Sequence, residues 1–318
     1  MEPIVYAVVV LAAIGIGLWL ASFLVETLRT VPSAPATLRW APNIPIDYVN
    51  AGGIKLRYIK AGSGPVLVLL HTLRTQLDLF EKVVPELSRH FTVYALDLPG
   101  HGYSDIPKAK YDAAFFAAAV EGFLDRLDLR DVTLAGVSIG ASLPLILAAR
   151  ANPRVARAVA INPYDYAKGR GLARSSLFGW ALNYTALVPL IGETVMRLRN
   201  FPLVAAVFRG GVAKAGSISP ALMREMYLVG NRRGHYRALL ALLRNSQSWE
   251  RATEDYGRIN IPVLIVWGSE DWARLAERQH DQDLVPGAKA ETIAGGGHFL
   301  PLDKPEEVIA SLKQGAAR

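Results

Sequence analysis

The chain opens with no polar alternation at all. From Pro3 to Val25 every residue is uncharged and most are apolar. As a helix this stretch spans roughly 35 Å at about 1.5 Å per residue, enough to cross a bilayer core. Tyr6 near one end, and Trp19 and Phe23 near the other, suit the two interfacial zones. The pattern predicts one transmembrane helix over residues 3–25. A cleaved signal peptide is the competing reading. It fits less well, because Glu2 and no Lys or Arg precedes the run, which also exceeds a usual signal core. Ala34-Pro35-Ala36 has the small-x-small look of a cleavage site but lies well beyond the apolar run. Arg29 and Arg39 follow the helix and nothing basic precedes it, which leans toward a cytoplasmic catalytic domain on a single-pass membrane protein.

Residues 26–45 carry Pro32, Pro35, Pro42 and Pro45 among Ser, Ala and Thr, and read as a stiff, extended linker. From Ile46 the pattern becomes short apolar runs alternating with helical stretches. Ile46–Val49 and Lys55–Ile59 flank Gly52-Gly53 as a hairpin. Val66–Leu70, Thr92–Leu96, Val132–Val137, Val155–Ile161, Ile261–Trp267 and Lys289–Ile293 follow as strands. Helices are expected at Leu77–Ser88, Asp112–Leu127, Ile139–Ala151 and Pro305–Gln314. Near-continuous apolar strands with helical crossovers imply an α/β fold with a mostly parallel sheet covered on both faces. Its two parts are 46–161 and 259–318. Between them, 162–258 is too long for a connection and reads as a helical cap over the C-terminal edge of the sheet. Within the cap, Ser175–Leu190, Gly192–Phe208, Pro220–Val229 and Arg237–Gln247 look helical.

Charge is concentrated in the cap. Residues 166–258 hold 14 Lys and Arg against 5 Asp and Glu, while the whole chain carries +7. This is either a solvated helix surface or a face resting on anionic lipid headgroups. No nucleic-acid-binding motif accompanies it, so a nucleic-acid partner is not expected. The sequence has no cysteine, which removes disulfides, thiolate metal sites and cysteine nucleophiles.

Gly136-Val137-Ser138-Ile139-Gly140 lies between a strand and a helix, the context of a nucleophile elbow. A serine hydroxyl needs a base, and His298, in Gly295-Gly296-Gly297-His298 after the final strand, is the best placed of the six histidines. His71, His101 and His235 read as structural. The base needs an acid to fix its tautomer. Asp271, just past the strand Ile261–Trp267, is preferred to Asp165 by the chain order Ser, Asp, His. Glu270 is expected to point elsewhere.

From Ile46 to about Gln314 the chain resembles an α/β-hydrolase of the esterase, lipase and carbon–carbon-bond hydrolase group. The motifs are Asp97-Leu98-Pro99-Gly100-His101-Gly102-Tyr103-Ser104-Asp105, the elbow at Ser138, Gly268-Ser269-Glu270-Asp271, and Gly297-His298-Phe299 followed by Lys304-Pro305-Glu306-Glu307-Val308. The resemblance implies that backbone N–H groups of Leu73 and Ile139 form the oxyanion hole. It implies no metal and no organic cofactor. One departure is His71-Thr72-Leu73-Arg74 where the family has His-Gly: Thr72 resists the positive φ open to glycine, so the hole is either reshaped or tolerates it. Arg74 is either solvent-facing or a contact for an acidic substrate group.

These readings lead to a serine hydrolase that cleaves a carboxylic ester of a hydrophobic or amphiphilic, lipid-like small molecule through an acyl-serine intermediate. The same triad also suits a thioesterase, an amidase, a carbon–carbon hydrolase or an acyltransferase. Dehalogenase and epoxide-hydrolase chemistry are disfavoured, since relatives doing that work carry aspartate at the elbow. A catalytically silent, membrane-tethered ligand-binding protein is the alternative of another class.

Overall fold

Apolar side chains on both faces of a strand demand cover on both faces, and the chain supplies it. The computed structural model describes residues 2–317. Eight strands form one sheet: β1 (Ile46–Ala51), β2 (Ile54–Ala61), β3 (Val66–Leu70), β4 (Thr92–Leu96), β5 (Val132–Val137), β6 (Val155–Ile161), β7 (Val263–Gly268) and β8 (Lys289–Ile293). Their order is β1-β2-β4-β3-β5-β6-β7-β8. β1 with β2 and β2 with β4 are antiparallel, and every other pairing is parallel. The expected mixed, mostly parallel sheet is therefore present.

Alternation along β3 shows how the core divides. Val68 and Leu70 enter one apolar cluster with the helices Ala113–Arg126 and Ile139–Ala149. Leu67 and Leu69 enter the other, with Val308 and Leu312 of the helix Pro305–Gly315. β3 and β5 are neighbours, yet β4 continues the sheet one way and β6 the other. Strand order thus reverses between β3 and β5, the crevice where open α/β sheets bind ligands.

The Asp97–Asp105 segment turns out to be structural. Asp97 and Arg57 are fully buried and paired at 3.1 Å, and the Asp97 carboxylate also accepts from the N–H groups of Leu77 and Tyr103. A Cβ on Gly102 would stand 1.9 Å from that carboxylate, so only glycine fits. Ser104 Oγ accepts from Arg57 N–H and donates to the Asp97 carbonyl. Asp97→Ala would leave a buried guanidinium facing one weaker partner, Asp78 at 3.9 Å. We expect it to cost about 3–5 kcal/mol in thermal or denaturant unfolding, the usual loss for breaking a buried pair.

The cap departs from its expected outline. Gly192–Phe208 is two helices, Ile191–Arg197 and Phe201–Arg209. Arg199 turns inward between them to bond the carbonyls of Met196 and Gly230, and Asn200 caps the second helix. Leu77–Ser88 is likewise broken, into a 3-10 turn (Leu77–Phe80) and a short helix (Val84–Leu87) with proline in its first turn. One core helix, Leu275–Leu284, carries no helical signature in the sequence, because it buries only Asp281 and has no apolar stripe.

Residues 28–45 are not a free linker. Leu38 is buried in the second core cluster, and Trp40 Nε1 donates to Asp78 at 2.8 Å. The N-terminal helix runs Glu2–Thr27, two residues past its predicted end, and only Ser22 in it is buried. It is long and apolar enough to cross a membrane, and its length and place in the chain also suit a signal sequence. Its C-terminal turns dock on the cap. Glu26 pairs with Arg199 at 2.7 Å, and the Arg197 guanidinium sits 3.8 Å from the Phe23 ring centroid. Much of the cap's basicity is held this way, with Arg174 on Glu277, Arg244 on Glu193 and Arg232 on the Gly102 and Ser104 carbonyls.

Candidate active site

The elbow is built by steric exclusion. β5 delivers the chain to Ser138, whose φ of 61° is in a region non-glycine residues seldom occupy, and the helix starts at Ile139. A Cβ on Gly136 would lie 2.0 Å from the Gly140 carbonyl oxygen. One on Gly140 would lie 2.3 Å from the Leu70 oxygen and 2.4 Å from that of His71. The two glycines let the turn close against the end of β3. Ser138 is the N-cap, yet its side chain makes no capping bond, and its buried Oγ has no hydrogen-bond partner. Such an unsatisfied buried hydroxyl calls for an explanation other than packing.

His298 is buried on the loop after β8. Its Nδ1 is 2.5 Å from Asp271 Oδ1, and Asp271 Oδ2 accepts from Ala273 N–H at 2.9 Å. The Nδ1 proton is thereby fixed, leaving Nε2 as the free lone pair, and Nε2 too is buried without a partner. The Ser138 hydroxyl and His298 Nε2 are not hydrogen-bonded to each other in this state. Trp272 stacks on the imidazole with centroids 3.7 Å apart and planes 13° apart, held by its Nε1–H to the Gly210 carbonyl. Glu270 is exposed, as expected.

Two contributors are not visible in the sequence pattern. Asn162, the residue after β6, donates its amide to the carbonyls of Gly297 and His298 and accepts from Gly268 N–H. The preceding Ile161 carbonyl accepts from Ser138 N–H. The end of β6 therefore fixes the loops after β5, β7 and β8 relative to one another. Asn162-Pro163 is a turn signal in the sequence, but its partners lie over 100 residues away. Trp272 has no sequence signal beyond its place beside Asp271.

Asp165, the alternative acid, bonds other partners than the histidine. Its Oδ2 accepts from Tyr256 at 2.7 Å and from Ser142 at 3.4 Å, and a second buried carboxyl, Asp281, adjoins it. Burial, with Asp165 as neighbour, raises the Asp281 pKa well above the usual carboxylate range, and burial also raises that of Asp165. A raised carboxyl pKa means the folded state holds a proton that the unfolded state has released. This pair therefore contributes stability at acid pH that is lost as pH rises past the unfolded value. Asp281→Asn is expected to raise the melting temperature at pH 7–8 and flatten its fall between pH 4 and 8. Each tenfold excess in proton affinity of the folded over the unfolded state that the change removes is worth about 1.4 kcal/mol.

His71 and His101 are tied to neighbouring backbone by hydrogen bonds, whereas the Nδ1 of buried His235 has no partner. His71 Nε2 accepts from Leu98 N–H at 2.9 Å while Nδ1 donates to the Thr72 carbonyl. Burial lowers the pKa of all three, that of His101 to about 3. Thr72 does not take the positive φ that the family glycine allows; Arg74 does, at 55°. The Thr72 carbonyl instead closes a turn by accepting from Thr75 N–H and Oγ1. Leu73 lies in the turn three residues past the end of β3, and Ile139 is the first residue of the helix after β5. An N–H in the first helical turn has no intrahelical partner, so that of Ile139 is available to an oxyanion.

The cap closes over this arrangement. Phe299 N–H donates to the Gly211 carbonyl at 2.6 Å, and Asp303 Oδ2 accepts from both Ala213 and Gly297 N–H. Among the described residues no cluster of three or more His, Cys, Asp or Glu could hold a metal ion.

Relatives agree with this architecture. A family model for the alpha/beta hydrolase fold matches residues 65–305. A 2-(acetamidomethylene)succinate hydrolase of Mesorhizobium japonicum is 34% identical over 257 residues, covering 79% of this chain and 87% of the relative. Carboxylesterase YbfK of Bacillus subtilis is 25% identical over 249 residues, covering 77% and 78%. The crystal structure of wild-type Cfl2 from Burkholderia cenocepacia has a TM-score of 0.77 over 89% of this chain and 99% of that one, at 24% identity. With the family model spanning the sheet from β3 to β8 and the cap between its halves, the chain belongs to the α/β-hydrolase fold family and is a hydrolase.

Proposed function

We propose that the protein is a serine hydrolase that cleaves a carboxylic ester, with Ser138 as nucleophile, His298 as base and Asp271 as its orienting acid. The observation that carries this reading is the pair of buried, unpartnered atoms, Ser138 Oγ and His298 Nε2, with Asp271 fixing the histidine tautomer at 2.5 Å. Ser138 Oγ attacks the carbonyl carbon as His298 Nε2 takes its proton. The tetrahedral oxyanion is held by the N–H groups of Leu73 and Ile139, a donor pair in which each member is worth about 2.7–4 kcal/mol. His298 then gives the proton to the leaving alkoxide, and water resolves the acyl-serine by the same path in reverse. A preference for ester over the corresponding amide, in a panel of matched aryl esters, thioesters and anilides, tests it. Turnover of the anilide alone would contradict it.

The substrate is proposed to be hydrophobic or amphiphilic and to arrive from the membrane that the N-terminal helix spans. An apolar groove of about 620 Å³ runs between that helix (Gly15, Ile16, Trp19) and the cap (Leu190, Ile191, Val195). Exposed Arg233 and Arg237 flank the C-terminal end of the same helix, at the level expected for anionic headgroups. A Cβ on Gly15 would meet nothing within 4 Å, so a side chain can start from this groove-lining position, and Gly15→Trp is directed into the groove. In bilayer-reconstituted protein, Gly15→Trp is expected to lower kcat/KM for a long-chain ester several-fold more than for an acetate ester. Equal effects on both would remove the groove from the substrate's path.

A further inference from the structure

Arg74 carries a buried guanidinium that no carboxylate among the described residues pairs. It is 7% exposed, neither Nε nor Nη2 has a hydrogen bond, and its backbone sits at φ 55°. A lone buried charge and a strained non-glycine backbone are both costly, and such violations concentrate at functional sites. The side chain lies against Gly230, where a Cβ would stand 2.6 Å from Nη2. It lines a small cavity of about 30 Å³ whose other walls include Val195, Val204, Val207 and Phe208. That is room for one water-sized group, so a larger oxyanion at Arg74 requires the apolar side chains lining it, Val195, Val204, Val207 and Phe208, to shift.

The position of this cavity matters more than its size. Arg74 directly follows Leu73, the proposed oxyanion donor. Phe208 packs on Phe299, the neighbour of His298, with ring centroids 6.3 Å apart. Val195 lines both this cavity and the apolar groove beside the N-terminal helix. The cavity thus shares a wall with the groove and, through Phe208, borders the residue next to His298.

Its electrostatics are one-sided. Arg199 lines the cavity too, and Glu26 is the carboxylate paired with both Arg199 and Arg29. With Arg74 added, the group holds three guanidiniums and one carboxylate. Burial, then Arg199 and Arg29, push the Arg74 pKa down to about 9, and His235 is lowered by burial and then by Arg74.

We propose that Arg74 binds an oxyanion of the substrate, a carboxylate or a phosphate, so that the ester hydrolysed is an anionic amphiphile. The proposal rests on the serine-hydrolase reading. A planar guanidinium with two free donors is matched to a bidentate oxyanion, and such charge-assisted bonds contribute about 1.5–3 kcal/mol. At 1.4 kcal/mol per factor of ten, this is about a 10- to 150-fold preference.

The test uses the full chain in nanodiscs and three aryl esters of equal length: p-nitrophenyl valerate, p-nitrophenyl hemiglutarate and the p-nitrophenyl ester of 4-phosphonobutyric acid. The wild type is expected to favour at least one acid-bearing ester by about 10- to 150-fold in kcat/KM, and which one identifies the oxyanion. Arg74→Gln is expected to bring that ratio near one, with Arg74→Lys in between. A wild-type ratio near or below one, or an unchanged ratio in Arg74→Gln, overturns the proposal. If Arg74→Gln does not fold, inhibition of wild-type valerate hydrolysis decides: hexanoate or hexyl phosphate must inhibit at least tenfold more tightly than hexanol. If no ester is turned over, the hydrolase reading is what has failed. The oxyanion site is then judged by thermal stabilisation: it stands if hexanoate or hexyl phosphate stabilises the wild type more than hexanol does, and falls if neither does.

Discussion

Ser138→Ala is expected to lower kcat by about 10⁶-fold on the esters proposed as substrates, the loss seen when a triad nucleophile is removed. The same change should leave the melting temperature nearly unaltered. Ser138 Oγ forms no hydrogen bond, so its removal breaks nothing in the fold, and alanine occupies the φ of 61° no less readily than serine. Most buried polar side chains show the opposite behaviour, because their loss strands a partner. Activity and thermal unfolding measured on one preparation therefore separate a nucleophile from a structural serine. Retained turnover within tenfold of wild type would place the chemistry elsewhere.

Asp271→Asn is expected to lower kcat by about 10⁴-fold. The direction follows from the two oxygens. Oδ2 accepts from Ala273 N–H, so an asparagine at this position keeps its carbonyl there and turns its NH₂ toward His298 Nδ1. Nδ1 must then accept, which moves the imidazole proton to Nε2, and a protonated Nε2 cannot take the serine proton. Asp165→Asn serves as the control, because Asp165 bonds Tyr256 and Ser142 and not the histidine. It should leave kcat within a few-fold of wild type. A large loss in Asp165→Asn with little in Asp271→Asn would reverse the assignment.

What is legible in the sequence is what local chemistry determines. Strands such as Val263–Gly268, buried at every position, announce themselves as near-continuous apolar runs. Ser138, Asp271 and His298 stand out because each follows a strand end in a glycine-rich or acidic turn. Features set by distant contacts are not readable. Asn162 matters through carbonyls 135 and 136 residues away, and Trp272 through an imidazole it stacks on. The break at Leu198–Asn200 is dictated by Arg199 reaching Glu26 and Gly230, which no helical period encodes. Proline content makes residues 26–45 read as a stiff, extended linker, whereas burial of Leu38 and the Trp40–Asp78 bond hold its later part against the core. The backbone strain expected at Thr72 falls instead two residues on, at Arg74, where φ is positive.

The central claim is that Ser138 is an activated nucleophile, and fluorophosphonate labelling of the full chain in nanodiscs tests it most directly. An activated Ser138 predicts one modified residue in the wild type, no labelling of Ser138→Ala, and sharply slower labelling of His298→Ala. Labelling that persists in Ser138→Ala, or a folded wild type that never labels, would contradict it.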